Sequence, residues 1–276
     1  MMKLIADSSA NLTMLEGVTY QSVPMTIRAG KRDFVDDETL DTHELLDYLA
    51  AYNGKSGTAC PSLDGWLKAF EGADEIFVIT ITSSLSGTCA SAMAARDVYL
   101  QSHPEVKIHI FDTLSTGPEM QLLAEKLAEL HAKGLPFDVI CEKAQEYLAT
   151  THLFFSLKSL HNLAQNGRVS KIAAGAIGIL GIQILATASL EGTIQPVEKC
   201  RGEKKTCAAM VQNLLEADYH GGKVRIHHAE NPETAGALAA ALRDRFPWTE
   251  IEIRPCTGLC SYYAERGGVI VGFETM

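Results

Sequence analysis

Ile76-Phe77-Val78-Ile79-Thr80-Ile81-Thr82-Ser83-Ser84-Leu85-Ser86-Gly87-Thr88-Cys89-Ala90-Ser91-Ala92-Met93 holds a strand, a loop and the start of a helix. Residues 76–81 are β-branched or aromatic with no polar face, the mark of a strand buried on both sides of a parallel sheet. Hydroxyl residues and Gly87 follow, and then small residues that begin a helix. Strand, loop and helix in that order are the repeating unit of an α/β fold. The first amides of the helix have no intrahelical partner and carry the positive end of its dipole, so hydroxyls beside them make a neutral cradle for a carboxylate or phosphate. Plain N-capping needs only one such hydroxyl. Thr82, Ser83, Ser84, Ser86 and Thr88 around one glycine therefore favour an anion site over a simple cap.

The same alternation continues on both sides of this segment. Residues 3–6 and 106–111 read as strands. Leu63, Trp66, Leu67 and Phe70 repeat at helical spacing after Pro61, and Met120, Leu123, Leu127 and Leu130 line one face of a helix over 118–134. In the second half, Ser156 is placed to cap a helix carrying Leu157, Leu160 and Ala164. Glu191-Gly192 separates two strands of a hairpin, 223–228 is a strand, and Asn231-Pro232 opens another helix. Residues 249–254 and 269–273 complete the strands. The expected architecture is α/β: two closely packed α/β domains, near 1–155 and 156–276, with mainly parallel sheets and a ligand between them. The hairpin adds some antiparallel pairing in the second half, and the expected boundary leaves the halves free to exchange segments.

The chain has 276 residues with 24 Lys+Arg against 34 Asp+Glu, a formal charge of −10. Hydrophobic residues at 46% and charged ones at 21% exclude wholesale disorder. The acidic balance argues against nucleic-acid binding by phosphate neutralisation. It also means that any anion must be held by local dipoles and hydroxyls. Residues 172–190 carry no charge, but Gly175, Gly178, Gly181 and Gln183 divide them into a buried helix (171–180) and a buried strand, so no membrane insertion is expected. No signal sequence is expected at the N-terminus, because Asp7 interrupts its apolar run. The seven cysteines are an odd number without a CxxC pair, so a reducing cytoplasm is the expected location.

Other chemistry finds less support. The hydroxyl loop lacks the Gly-Lys-Ser/Thr of a Walker A motif, and Ser84 stands where a nucleophile elbow around Ser86 needs glycine. Asp7-Ser8-Ser9 has no second Asp two residues on, so capping is the better reading of Asp7. His227-His228 and the Cys256/Cys260 pair do not reach the ligand count of a zinc site, so no metal is expected. Thr58-Ala59-Cys60-Pro61-Ser62 is a second hydroxyl loop before a helix. Arg168, Arg201, Lys204 and Lys205 are basic spots on an acidic chain. On residues alone, a small-molecule phosphotransferase or hydrolase using these loops remains the alternative to a non-catalytic binding protein. A ligand-free interaction regulator is a third reading.

Taken in order, Asp7-Ser8-Ser9, Thr58-x-x-Pro61-Ser62, Ser83-Ser84-x-Ser86-Gly87-Thr88, Asp112 to Ser115 with Gly117, Gly167-Arg168-Val169-Ser170 and Gly192-x-Ile194-x-Pro196 with Arg201 resemble the DegV family. The resemblance covers essentially the whole chain. It implies a two-domain α/β protein without activity or cofactor of its own, enclosing one long-chain, palmitate-like fatty acid in an apolar tunnel between its domains. By position, Thr58 and Ser86 would hold the carboxylate, with Ser83 and Ser84 close by. Some members present the acid to a separate fatty acid kinase, and the partner-facing basic positions would fall on Arg168 and Arg201. The chain departs from the family where Cys256-Thr257-Gly258-Leu259-Cys260 replaces His-Thr-Gly-Pro-Gly, which leaves Cys256 and Thr257 as headgroup neighbours in place of a histidine. Asn166 stands for a glycine before Gly167, and Ile182-Gln183 for a Lys-Pro. A burial of ~14 methylenes would supply about 11 kcal/mol gross, so the headgroup needs orientation more than affinity.

Overall fold

A computed structural model of the chain describes residues 1–170 and 181–275. The decisive stretch forms strand β6 (Glu75–Thr80), the hydroxyl loop, and helix α3 (Thr88–Leu100). With β1 (Met2–Asp7), β2 (Thr19–Val23) and β7 (Lys107–Asp112) it builds a four-stranded, all-parallel sheet in the order β2-β1-β6-β7. Leu4, Ala6, Phe77 and Ile79 point to one face, against Met120, Leu123 and Leu127 of α4 (Pro118–Ala132) and Phe137 and Ile140 of α5 (Phe137–Leu148). Ile5, Ile76 and Val78 point to the other, against Trp66 and Phe70 of α2 (Leu63–Phe70) and Ala92, Ala95 and Tyr99 of α3. Adjacent residues of one strand thus enter opposite cores, as a two-period backbone requires.

The second sheet has six strands in the order β10-β9-β8-β13-β11-β12, formed by β8 (Thr151–Leu157), β9 (Ile182–Ala188), β10 (Ile194–Arg201), β11 (Lys223–His228), β12 (Glu250–Pro255) and β13 (Val269–Glu274). The α/β class stands, but mainly parallel pairing holds only in the first sheet. In the second, β11 and β12 run parallel and every other pairing is antiparallel. The expected hairpin at Glu191-Gly192 accounts for one of these pairings; the insertion of β13 between β8 and β11 accounts for two more, and no local signal announces it. On one face Phe154, Val224, Val271 and Phe273 meet Met210 and Leu214 of α7 (Glu203–Glu216) and Leu238 and Leu242 of α8 (Pro232–Arg245).

The helix expected from Ser156 is corrected. Residues 151–157 are strand, and only His161–Gln165 (α6) is helical. Leu153, Phe155 and Leu157 face one core and Phe154 the other, and a short run buried on both sides carries no period that separates strand from helix. Ser156 donates 2.8 Å to Gln183 Oε1 on the neighbouring strand instead of capping a helix. The helix expected over 171–180 lies outside the described residues.

A small antiparallel sheet, β4-β3-β5, comes from β3 (Thr26–Ala29), β4 (Arg32–Val35) and β5 (Ser56–Ala59), with α1 (Thr42–Ala51) beside it. Helix α9 (Gly258–Ala264) comes late in the chain yet buries Tyr262 against Ile27, Phe34 and Leu45 of this early segment. Helix α4 lies against β13 and β11 of the second sheet. Gly272 permits that approach, since a Cβ there would lie 2.7 Å from Glu119 N and Pro118 C. Among the described residues no helix is long and apolar enough to cross a membrane.

Candidate functional site

Between the two larger sheets lies a cavity, open at its mouth, that draws its lining from both halves of the chain. Leu153, Phe155, Leu157 and Ile270 of the second sheet form its floor. Leu259, Cys260 and Tyr263 of α9, Met25 and Ile81 close one side, and Ala188, Gly192 and Ile194 of the hairpin close another. Most of this lining is apolar because Leu153, Phe155, Leu157 and Ile270 alternate toward the inner face of the second sheet.

Polar atoms enter from two loops. Thr58 on β5 and Ser86 before α3 both line the cavity, each half-buried. Thr58 Oγ1 lies 2.9 Å from the Tyr263 hydroxyl. Ser86 Oγ lies 2.8 Å from Thr88 Oγ1 and accepts from the Thr88 amide at 3.3 Å. Helix α3 begins at Gly87 without a side-chain cap, so its positive end is not neutralised by a carboxylate there. Arg168 is the one charged residue among the described lining, and its Nε donates 3.1 Å to Leu85 O. Among the described residues the lining contains no histidine and no carboxylate, so Ser86 has no neighbouring base to activate it as a nucleophile.

The other expected site residues are placed differently. Ser83 and Ser84 are exposed and do not line the cavity. The Ser83 amide donates 3.0 Å to Asp112 Oδ1, and the Ser84 hydroxyl donates to Glu191 O. With Thr82, whose hydroxyl donates 2.8 Å to Gly192 O, Ser84 joins the hydroxyl loop to the hairpin tip. Cys256 is buried in the core beside the cavity and does not line it; burial pushes its thiol well above the usual range. Thr257 bonds Asn11 Oδ1 through both its amide, at 3.0 Å, and its hydroxyl, at 2.7 Å, and faces a separate polar hollow. Arg201 ends β10 on the exposed surface, away from the cavity lining.

Buried polar groups brace the site from behind. Asp7 accepts from Ile81 N at 2.7 Å and Ser9 N at 3.0 Å, and burial pushes its carboxyl up to about 6. Asp36 accepts from Gly258 N at 2.6 Å and Leu259 N at 2.9 Å, which seats the start of α9; burial raises its pKa despite these bonds. His227 is held down to about 3 by burial and is neutral, so Nδ1 accepts from Asn11 Nδ2 at 2.8 Å and Nε2 donates to Gln121 Oε1 at 2.7 Å. Cys260, pushed up to about 12 by burial, keeps its proton and donates it to Ser9 O at 3.3 Å. All seven cysteines are unpaired.

Residues 1–275 match the model of the DegV family, described as uncharacterised proteins. The chain belongs to the DegV family. A DegV domain-containing protein of Streptococcus pneumoniae is 41% identical over 276 residues, spanning 99% of this chain and 98% of the relative. Among solved structures, a DegV family protein of Eubacterium eligens loaded with heptadecanoic acid is 47% identical, with a TM-score of 0.98 and complete coverage of both chains. The Streptococcus pneumoniae fatty acid kinase (Fak) B3 protein loaded with linoleic acid is 40% identical, with a TM-score of 0.98 and coverage of 100% of this chain and 99% of that one.

Within this DegV fold, the sequence reading missed Tyr263, Cys260 as a lining residue, and the tie from Thr82 to the hairpin. Tyr263 had no signal: an aromatic residue in a seven-residue helix reads as core. Thr82 stood in the hydroxyl count, but only the folded hairpin shows what its side chain reaches.

Proposed function

We propose that this protein binds one long-chain fatty acid in the cavity between its sheets. In this reading Thr58 and Ser86 donate to the carboxylate, and Leu153, Phe155, Leu157 and Ile270 pack on the acyl chain. The carrying observation is an apolar cavity into which hydroxyls from Thr58 and Ser86 project without a carboxylate beside them. Fatty acids loaded into homologous chains of 47% and 40% identity support the same assignment. Neutral donors suffice, because apolar burial drives association and the hydroxyls only fix the head. Ser83 and Ser84 act indirectly, by holding the loop, and Arg168 adds positive charge at the wall. The alternative, a phosphotransferase or hydrolase, is disfavoured by the lack of a base near Ser86.

The likeness to the Fak B3 protein supports a further step, in which this chain presents the acid to a fatty acid kinase and Arg168 and Arg201 contribute to the docking face. The unpaired thiols fit a reducing cytoplasm. The boundary expected at 155/156 falls inside β8 (Thr151–Leu157), so we propose a division just ahead of that strand, with α9 exchanged onto the first half. Mass spectrometry of protein purified under native conditions tests the reading. The expected result is about one long-chain acid per chain, or stoichiometric uptake of added palmitate. Recovery of neither, or recovery of a phosphorylated metabolite instead, overturns it.

A further inference from the structure

The hydroxyl of Tyr263 stands behind Thr58, and the two oxygens are 2.9 Å apart with either able to donate. The neighbouring pair shows how these hydroxyls are ordered. Ser56 and Thr58, two residues apart on β5, meet Tyr262 and Tyr263 of α9 in turn. The Ser56 hydroxyl donates 3.1 Å to Gln165 Oε1, and Asn166 Nδ2 donates 2.9 Å to the Tyr262 oxygen. The Tyr262 proton therefore goes to Ser56 Oγ, at 2.8 Å. That pair is locked by its surroundings. In the Tyr263–Thr58 pair the direction is left open, and both residues line the cavity.

We infer that Tyr263 is a positioning residue for the headgroup: it donates to Thr58 Oγ1 and so frees the Thr58 proton for an anion in the cavity. This rests on the fatty-acid reading above. A hydroxyl has one proton. If Thr58 spends it on Tyr263, it offers a carboxylate only a lone pair, which repels. A carboxylate, which only accepts, selects the opposite arrangement, Tyr263 O–H to Thr58 O–H to carboxylate. Each bond in such a chain polarises the next. An ester carbonyl also only accepts but carries no charge, so it makes the same selection more weakly, and Tyr263 favours ionised acids over their esters. The Tyr263 ring packs edge-on to Tyr262 at 4.8 Å between centroids, which Phe preserves.

The test is calorimetric titration of delipidated protein with palmitate and with methyl palmitate, using wild type, Tyr263→Phe, Thr58→Val and the double variant. Tyr263→Phe is expected to weaken palmitate about five-fold and leave the ester within two-fold. The double variant is expected to bind palmitate no more weakly than Thr58→Val alone, because the relay has already been cut. Unchanged palmitate binding, equal loss for both ligands, or additive losses in the double variant overturn the role of Tyr263 while leaving the fatty-acid reading intact. A wild-type chain that binds no palmitate removes the reading beneath it as well.

Discussion

Replacing Gly192 by alanine probes the seam where the hairpin tip closes on the hydroxyl loop. Gly192 has φ +75°, and a Cβ there would lie 2.2 Å from Thr82 Oγ1 and 3.0 Å from both Cα and O of Leu114. The left-handed backbone alone costs a non-glycine residue about 1–2 kcal/mol. The Thr82 side chain would have to swing away and end its 2.8 Å hydrogen bond to Gly192 O, a loss of about 1 kcal/mol. The Leu114 contact is backbone and has no rotamer to change, so overpacking adds about 1–3 kcal/mol. Gly72→Ala is the control, because Gly72 has φ +76° with nothing within 4 Å of the new Cβ. Both variants share the backbone strain and the effect on the unfolded chain, so Gly192→Ala should be less stable than Gly72→Ala by about 2–4 kcal/mol. Urea denaturation followed by circular dichroism, with equal m values, measures the difference. Two variants of equal stability would show that the tip yields freely and that the close approach constrains nothing.

Three further outcomes are expected. Ser86→Ala should weaken palmitate by roughly 10-fold or more, the size of one charge-assisted hydrogen bond, in a fluorescent-acid displacement assay; full retention would remove Ser86 from the headgroup site. Arg225, with 4% of its side chain exposed, binds both oxygens of Glu125, at 2.8 and 2.6 Å. Among the described residues, Arg225→Met leaves that carboxylate with only Lys223 Nζ at 3.8 Å and Gln121 Nε2 at 2.8 Å and should lower stability by about 1–3 kcal/mol, seen as a clear fall in Tm. His227 is held at about 3 against 6.5 when unfolded. The unfolded chain then takes up a proton that the folded one refuses, so the His227 contribution is full above pH 6.5 and is lost as pH falls toward 3. Asp7, raised from 3.8 to about 6, runs the other way, losing its contribution as pH rises from 3.8 through 6. Between pH 6 and 4, wild type should therefore lose about 1.4 kcal/mol per pH unit relative to His227→Gln. Parallel profiles in denaturant would contradict this assignment of the buried imidazole.

Local sequence carried much of this protein. Residues 76–81 with the hydroxyl loop behind them dictate a buried strand feeding a helix, because β-branched side chains and uncapped amides act over a few residues. Asn231-Pro232 and Glu191-Gly192 likewise fix a helix start and a hairpin within their own neighbourhoods. Thr58 and Ser86 were legible as hydroxyls in loops before helices, and the ordered motifs aligned them with a family. Tertiary structure alone decided what these residues meet. It placed β13 between β8 and β11 and so made two of the second sheet's pairings antiparallel, a long-range arrangement that no window of sequence encodes. It moved Ser83 and Ser84 outward, Ser84 onto the hairpin and Ser83 onto Asp112, buried Cys256 beside the cavity without opening it to the interior, and carried α9 across to set Tyr263 behind Thr58. Local patterns fix which backbone forms; the packing of segments distant in sequence fixes which side chains share a cavity.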